Sequence, residues 1–185
     1  MSFVTAWRVN PVTCVHASVT VYGLHVARFL GGKVAEYRPK CGDVVGFSYL
    51  WSWEAEAGHD RGLKRRPCVI VQVEGRTNGL RVRLVPISHR PLTNKPSIEV
   101  PKGYLNEAGL DGLGCYVIPG EVNTAPWPSK ARGFELLPKG RIPGGFLATL
   151  QDALLKQNVT GKLVEVDRER LARDIVESYR GRECE

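Results

Sequence analysis

The chain has 185 residues, a formal net charge of +7 and a pI near 9.3. One domain is the expectation for this length, and a composition of 43% hydrophobic and 24% charged residues is ordinary for a globular protein. No apolar run approaches the ~18 residues that a membrane span needs. The positive charge favours an anionic partner, such as RNA or an acidic protein.

The cysteines and histidines argue against a disulfide framework and a metal site. The five cysteines are odd in number and scattered, without a Cys-x-x-Cys pair, and the four histidines do not fall at ligand spacing. We therefore expect no zinc and no other cofactor. Reduced thiols are typical of the cytoplasm, which is the predicted location.

The amino-terminal segment differs in composition from the rest. Residues 1–35 contain no Asp or Glu, and their only charges are Arg8, Arg28 and Lys33. A transit or signal peptide is one interpretation. Another is that translation begins at Val34, because Gly31-Gly32-Lys33 must be encoded by a purine-rich string that resembles a ribosome-binding site. On that hypothesis residues 1–33 are a non-native or disordered extension.

Short strands separated by turns dominate residues 43–137. Strands are predicted at 43–50, 67–74, 80–88, 97–100, 112–119 and 134–137 from their Val-rich, Ile-rich and aromatic runs. Residues 51–65 are predicted to be a charged loop, and Asn78-Gly79 suits a turn with positive φ. The segment Pro126-Trp127-Pro128 cannot lie inside a central strand, so it marks a loop or an edge.

Two helices are predicted to follow the strands. Leucines recur at helical spacing over 146–158, with polar residues opposite them, which indicates an amphipathic helix packed on a sheet. A second helix is predicted over 168–180, with Asp167 as its N-cap. The fold class is therefore mostly β (α+β), a small barrel over residues 34–160 with a carboxy-terminal helical tail at 161–185.

The motif order resembles one known family. An apolar strand (Gly42 to Leu50), a polar loop that ends in Arg66-Pro67, a second strand, and a third strand that ends in Pro86-Ile87-Ser88 follow one another. This order is similar to the PemK/MazF family of toxin ribonucleases from type II toxin–antitoxin systems. The resemblance covers residues 35–157 and implies an SH3-like barrel with a carboxy-terminal helix, usually a homodimer.

The resemblance implies a metal-free endoribonuclease. In that reaction the ribose 2′-hydroxyl attacks the neighbouring phosphate, which leaves a 2′,3′-cyclic phosphate and a 5′-hydroxyl. Arg66 matches the family's Arg-Pro motif and is expected to stabilise the phosphate, since a guanidinium fits phosphate oxygens and stays charged. Ser88 matches the family's Ser or Thr after Pro-Ile and could donate a hydrogen bond to the phosphate. Each has a structural alternative, Arg66 as a loop cap and Ser88 as a backbone-bonded strand end.

The proton acceptor is less well defined by the sequence. Some relatives carry an acidic residue shortly before the Arg-Pro motif, but residues 61–65 contain none. Histidine is the side chain best suited to general base catalysis near neutral pH, so His59 is the candidate base, with Asp60 and Glu56 as alternatives. His59 could equally be a solvent-exposed loop residue.

Six residues are candidates for binding RNA. The loop supplies Arg61, Lys64 and Arg65 as cations and Trp53 as a ring on which an unpaired base could stack. Arg81 and Arg83 share one face of the third predicted strand and could extend the basic surface, although a solvated sheet face explains them as well. Trp51 could stack with bases or cover the core.

The predicted function is a growth-inhibiting toxin that cuts single-stranded RNA. Its expected partners are that RNA, a cognate antitoxin protein and a second copy of the chain, with no membrane. Two alternatives remain from the sequence. One is a non-catalytic barrel that binds a protein, as a distantly related family of gyrase poisons does on the same fold, and the other is a general RNA-binding module.

Overall fold

The computed structural model describes residues 37–129 and 133–182. The predicted extension at 1–33 and the predicted start at Val34 lie outside the described residues. Eight strands and three α-helices follow in chain order: β1 (Asp43–Phe47), α1 (Ser52–Glu56), β2 (Arg66–Arg76), β3 (Gly79–Ser88), β4 (Ile98–Glu99), β5 (Tyr116–Val117), β6 (Glu121–Trp127), β7 (Leu137–Arg141), α2 (Gly144–Val159), β8 (Val164–Asp167) and α3 (Arg168–Arg182).

The strands form one mostly antiparallel sheet that curls into a half-barrel. Its main path runs β4-β5-β3-β2-β1-β7, and β6 pairs with the other part of β3 and with β8. β8 runs parallel to β6, while the remaining pairs are antiparallel. This architecture confirms the predicted mostly-β barrel with carboxy-terminal helices.

Period-two alternation divides the core into two hydrophobic clusters. Val44 pairs with Val69, and Val69 pairs with Val85, so these three side chains share one face of the sheet. Their neighbours Val45 and Cys68 pair with each other on the opposite face, in the second cluster. Both faces of β1 and β2 are buried, which explains the continuous apolar runs in the sequence.

Helix α2 covers the first cluster. Phe146, Leu150 and Leu154 are its buried residues, and their four-residue spacing places them on one side of the helix. The predicted helix is therefore confirmed and extends two residues further towards the amino terminus. Gln151 fixes the helix to the sheet, since its side-chain amide donates to the Val71 carbonyl oxygen at 2.8 Å.

The N-cap predicted for the last helix is confirmed. An Oδ1 atom of Asp167 accepts hydrogen bonds from the backbone N–H groups of Glu169 and Arg170, each at 3.1 Å. The predicted helical tail at 161–185 contains a strand as well. β8 pairs with β6 from Val164 opposite Glu121 to Asp167 opposite Thr124, which joins this segment to the sheet.

Strand β6 was missed because its buried positions include polar residues. Glu121, Asn123 and Thr124 are at most 1% exposed. Because these buried residues are polar, the segment lacks the apolar pattern of a core strand. Each is satisfied by specific partners, as buried polar groups must be. Pro126 pairs with Arg81 of β3, but the pairing of β6 with β8 ends at Thr124. At Pro126 the other side of β6 is therefore an edge of the sheet, as predicted.

Two further segments differ from the sequence prediction. The predicted loop at 51–65 contains the one-turn-and-a-half helix α1, and the last antiparallel strand lies at Leu137–Arg141 instead of 134–137. Phe134 packs into the second core cluster from outside any strand. The apolar residues that suggested a strand at 134–137 therefore include a core contact that Phe134 makes from a loop.

Candidate functional site

Arg66 and Ser88 lie at the same end of two paired strands. β2 begins at Arg66 and β3 ends at Ser88, and the two strands are antiparallel. Cys68 pairs with Pro86, and Arg66 and Ser88 each lie two residues beyond this pair. Beyond it, Ile87 and Ser88 pair with β5. The fold thus brings the two residues of the predicted motif to one edge.

Trp51 forms a platform for two cations at this edge. The guanidinium carbon of Arg66 lies 5.4 Å from the Trp51 ring centroid, and Nζ of Lys95 lies 5.8 Å from it. The ring is only 6% exposed and is packed edge-on against Tyr49, with centroids 5.1 Å apart. Trp51 therefore belongs to the core, one of the two interpretations of the sequence, and positions cations by its π-face.

The Arg66 side chain is available for an anion. Within residues 37–129 and 133–182 it forms no ion pair, and its buried Nε atom has no hydrogen-bond partner. The residue as a whole is half-buried. An unneutralised guanidinium that is held against an indole is prepared to bind phosphate oxygens.

A buried ion pair supports the other cation of the platform. Glu121 is fully buried, and its carboxylate pairs with Nζ of Lys95. The same carboxylate accepts hydrogen bonds from the backbone N–H of Ser52 at 2.5 Å and from its hydroxyl at 3.3 Å. This network ties the start of α1 and the segment before β4 to β6. No local sequence pattern indicates this network, because Ser52, Lys95 and Glu121 are far apart in the chain.

Arg168 anchors the loop after β1 from inside the protein. Its guanidinium is 1% exposed and donates to the carbonyl oxygens of Ser48 at 2.8 Å and Asp60 at 3.1 Å. It also lies over the rings of Phe47 and Phe134. Burial lowers the pKa of Arg168 to about 10, partly opposed by nearby acidic groups. Arg168 was not identified from the sequence, where it reads as an ordinary first residue of a helix.

The loop cations lie just before Arg66 and are exposed. Arg61 is 3.9 Å from Asp60, Arg65 is bonded to Glu135 at 3.2 Å, and Lys64 has no ion pair among the described residues. Gly62 packs this segment against the chain that follows β1, since a Cβ atom there would lie 1.9 Å from the Tyr49 carbonyl oxygen. Only glycine fits this approach, so the positions of its basic neighbours are restrained.

Arg81 and Arg83 are largely neutralised within the protein. Arg81 is bonded to Asp167 at 2.7 Å and lies 3.6 Å from Glu165. Arg83 pairs with Glu74 at 3.2 Å and with Glu165 at 3.5 Å. Their place in RNA binding stays a prediction, and these acidic partners reduce the positive charge that they present.

The structure leaves the predicted base and the predicted stacking residue on the surface. His59 is exposed at the turn after α1, where its backbone N–H donates to the Glu54 carbonyl oxygen at 3.0 Å, and its ring makes no hydrogen bond to any described residue. Trp53 lies on α1 and is 55% exposed. Their roles stay predictions, and both side chains are open to solvent.

The Ser88 end of the edge carries a second group of polar side chains. The hydroxyl of Ser88 accepts a hydrogen bond from the backbone N–H of Arg90 at 3.2 Å. Next to it, His89 lies 3.3 Å from Asp111 through Nε2 and 3.9 Å from Sγ of Cys115 through Nδ1. Burial and Asp111 raise the pKa of the Cys115 thiol. These three residues are the only described group whose donor atoms converge as metal ligands would.

Comparison with known proteins identifies structural relatives. No protein-family model and no curated protein matches the chain. A solved structure of MazF from Deinococcus radiodurans is 19% identical, covers 68% of this chain and 99% of that one, and has a TM-score of 0.45. A MazE–MazF complex from the same organism is 17% identical, covers 65% and 95%, and has a TM-score of 0.42.

Both structures contain MazF. This is the family that the sequence resembles through Arg66-Pro67 and Pro86-Ile87-Ser88. At these identities and TM-scores, function has to be argued from the residues of the site.

In the described part of the chain, no helix has the length and the apolar character needed to cross a membrane.

Proposed function

We propose that the protein is the toxin of a type II toxin–antitoxin system and that it cuts single-stranded RNA at the edge formed by Arg66 and Ser88. The observation that carries this proposal is the Arg66 guanidinium, which forms no ion pair with a described carboxylate, lies on the Trp51 ring and starts β2 at the end where β3 finishes with Ser88. A cation and a hydroxyl at one edge can stabilise the negative charge that develops on a phosphate during its cleavage.

The reaction is a transesterification within one RNA strand. The 2′-oxygen forms a bond to phosphorus and loses its proton to a base, while the bond from phosphorus to the 5′-oxygen breaks and that oxygen takes up a proton. Arg66 stabilises the negative charge of the transition state and donates a hydrogen bond to the leaving 5′-oxygen, which takes its proton from water, and Ser88 donates to a phosphate oxygen. The products are a 2′,3′-cyclic phosphate and a 5′-hydroxyl.

His59 is the proposed base, with Asp60 on the same turn and Glu56 at the end of α1 as alternatives. All three are exposed, so this segment can approach a bound strand without removing a core contact.

The surface next to Arg66 would hold the RNA strand. Arg61, Lys64 and Arg65 supply positive charge along the phosphates, and Trp53 presents an exposed ring for one base. Arg81 and Arg83 would join this surface only if RNA displaced their carboxylate partners, so we expect them to contribute less.

The proposed partners follow from the same surface. An acidic segment of a cognate antitoxin would occupy the basic groove and compete with RNA for Arg66. The toxin would act in the cytoplasm as a homodimer whose groove borders the interface. Light scattering should give twice the monomer mass at tens of micromolar (on the order of common assay concentrations, far above a nanomolar Kd), and a monomer under these conditions would contradict the dimer.

Cleavage of a varied single-stranded RNA pool in EDTA tests the function. We expect discrete cuts whose ends carry cyclic phosphate and 5′-hydroxyl groups. The chain lacks an acidic residue directly before Arg66, which favours the protein-binding alternative. Growth arrest by a protein that leaves every RNA intact would support that alternative and contradict the ribonuclease.

A further inference from the structure

We propose that His89, Asp111 and Cys115 form a binding site for Zn²⁺ beside the strand end that carries Ser88. The sequence argued against zinc because these residues are separated by 22 and 4 positions and follow no ligand motif. The fold brings them together, since His89 follows β3 directly and Cys115 precedes β5, the strand that pairs with the end of β3.

The three side chains lie close enough together to surround one tetrahedral ion. Zinc takes sulfur at ~2.3 Å, nitrogen at ~2.0–2.1 Å and oxygen at ~2.0–2.2 Å, so neighbouring ligand atoms lie about 3.3–3.6 Å apart. In the structure, Nε2 of His89 is 3.3 Å from Oδ2 of Asp111, Sγ of Cys115 is 3.8 Å from Oδ1, and one ligand atom from each residue lies within 4.8 Å of the other two. Rotation of the exposed His89 and Asp111 side chains towards the sulfur would complete the site.

The surroundings orient the imidazole and the sulfur. Nδ1 of His89 lies 3.3 Å from the Gly114 carbonyl oxygen, and a proton donated there leaves the Nε2 lone pair for the metal, an arrangement common among histidine ligands. Cys115 is 1% exposed, and its carbonyl oxygen accepts from the backbone N–H of Val100 at 2.8 Å. The sulfur is thus a ligand held in place by the core, and the site opens towards solvent on its other side.

The ligand chemistry selects zinc among common ions. Thiolate with imidazole suits zinc, whereas magnesium and calcium prefer oxygen ligands alone. On binding, the metal replaces the thiol proton, which Cys115 releases as it becomes a thiolate ligand. Three protein ligands leave the fourth position to water. The ion would hold the segment at Asp111 to the end of β3, next to Ser88.

Titration of the full-length, metal-free protein with Co²⁺ tests the site. Thiolate ligation should produce a sulfur-to-cobalt charge-transfer band, and Zn²⁺ should abolish it in a one-to-one ratio. Zn²⁺ should also raise the thermal midpoint, because an ion that binds only the folded state stabilises it.

Three variants and one control make the test specific. His89→Gln and Asp111→Asn change exposed side chains and should weaken binding at least ~tenfold, since even outer partners of a metal site contribute 10–100-fold. Cys115→Ser should remove the charge-transfer band. Cys41→Ser, a cysteine outside the cluster, should leave the band and the affinity unchanged.

The outcomes separate this site from other thiols in the chain. Weaker binding in His89→Gln and Asp111→Asn and loss of the band in Cys115→Ser, together with an unchanged Cys41→Ser protein, support the proposal. Absence of the band in the wild type overturns it, and so does an unchanged affinity in folded His89→Gln and Asp111→Asn proteins, with folding checked by circular dichroism. The readout is spectroscopic, so it is independent of any ribonuclease activity.

Discussion

The guanidinium of Arg66 lies 5.4 Å from the centroid of the Trp51 ring, on a face that Lys95 also approaches. Because Trp51 is almost fully buried, the ring cannot move away without opening the second core cluster. The position of Arg66 is therefore coupled to the packing of the barrel. Five predictions follow from this edge and from the network beneath it.

Replacing Arg66 should remove most of the catalytic rate. Arg66→Ala is expected to lower the rate of RNA cleavage by about a hundredfold or more, since loss of one transition-state donor costs ~3 kcal/mol. Arg66→Lys should retain part of the rate, because it keeps the charge but not the planar fork. Single-turnover cleavage measures both. Arg170→Ala, an exposed cation on α3, is the matched control, and equal rates for Arg66→Ala and wild type would remove Arg66 from the mechanism.

Replacing Ser88 should have a smaller effect. Ser88→Ala is expected to slow cleavage by about fivefold, corresponding to ~1 kcal/mol for one neutral hydrogen bond. Ser88→Thr should cleave at close to the wild-type rate, as it keeps the hydroxyl. If Ser88→Ala cleaves as fast as wild type, the hydroxyl has no part in catalysis and only accepts the hydrogen bond from the backbone N–H of Arg90.

Breaking the Lys95–Glu121 pair should destabilise the fold. Lys95→Met leaves the fully buried Glu121 carboxylate without its cation and should lower the free energy of unfolding by about 3–5 kcal/mol. The double variant Lys95→Met/Glu121→Gln removes both charges and should recover part of this loss. Urea denaturation is measured for the wild type, for Lys95→Met and Glu121→Gln as single variants, and for the double variant. Additive effects of the two single variants would show that the residues do not interact.

Removing the N-cap of α3 should cost a small amount of stability. Asp167→Ala deletes the two hydrogen bonds to the first turn and should lower the free energy of unfolding by about 1 kcal/mol. It also frees Arg81 from its nearest carboxylate. RNA affinity should therefore rise if Arg81 lies on the binding surface, and Asp174→Ala, an exposed acidic residue further along α3, controls for the change in net charge.

Tyr49 should make the protein less stable at alkaline pH. Burial raises the pKa of Tyr49 well above its ordinary value of 10.0, with Glu121 and Cys68 adding to the effect. The unfolded chain then loses a proton above about pH 10 that the folded chain keeps, so the free energy of unfolding falls by up to about 1.4 kcal/mol per pH unit.

Tyr49→Phe isolates this contribution. Its free energy of unfolding should fall less steeply with pH than that of wild type, measured by urea denaturation between pH 9 and 11 (roughly one unit on either side of the tyrosine value). Arg168 contributes with the opposite sign in both proteins, because burial lowers its pKa to about 10. Val45→Ala destabilises the same cluster without removing a titrating group, so its slope should equal that of wild type.

Local sequence patterns were sufficient to predict the strands and helices whose apolar residues follow a regular spacing. β1, β2 and β3 were predicted from apolar runs, α2 from the helical spacing of its leucines, and the cap of α3 from Asp167. The turn at Gly79 was predicted from Asn78-Gly79, and the structure places this glycine at φ 131°, where other residues are strained. Such signals depend on neighbours in the chain, and the sequence displays them directly.

The sequence by itself therefore determined the fold class, the main strands and the motif pair Arg66 and Ser88. Only the tertiary structure decided that β6 is a strand, since its buried Glu121 and Asn123 are stable only with partners from distant segments. It also decided that Arg81 faces Asp167 and that His89 meets Cys115. Contacts between distant residues depend on how the strands pair and the sheet closes. The periodicity of a local segment therefore cannot predict them.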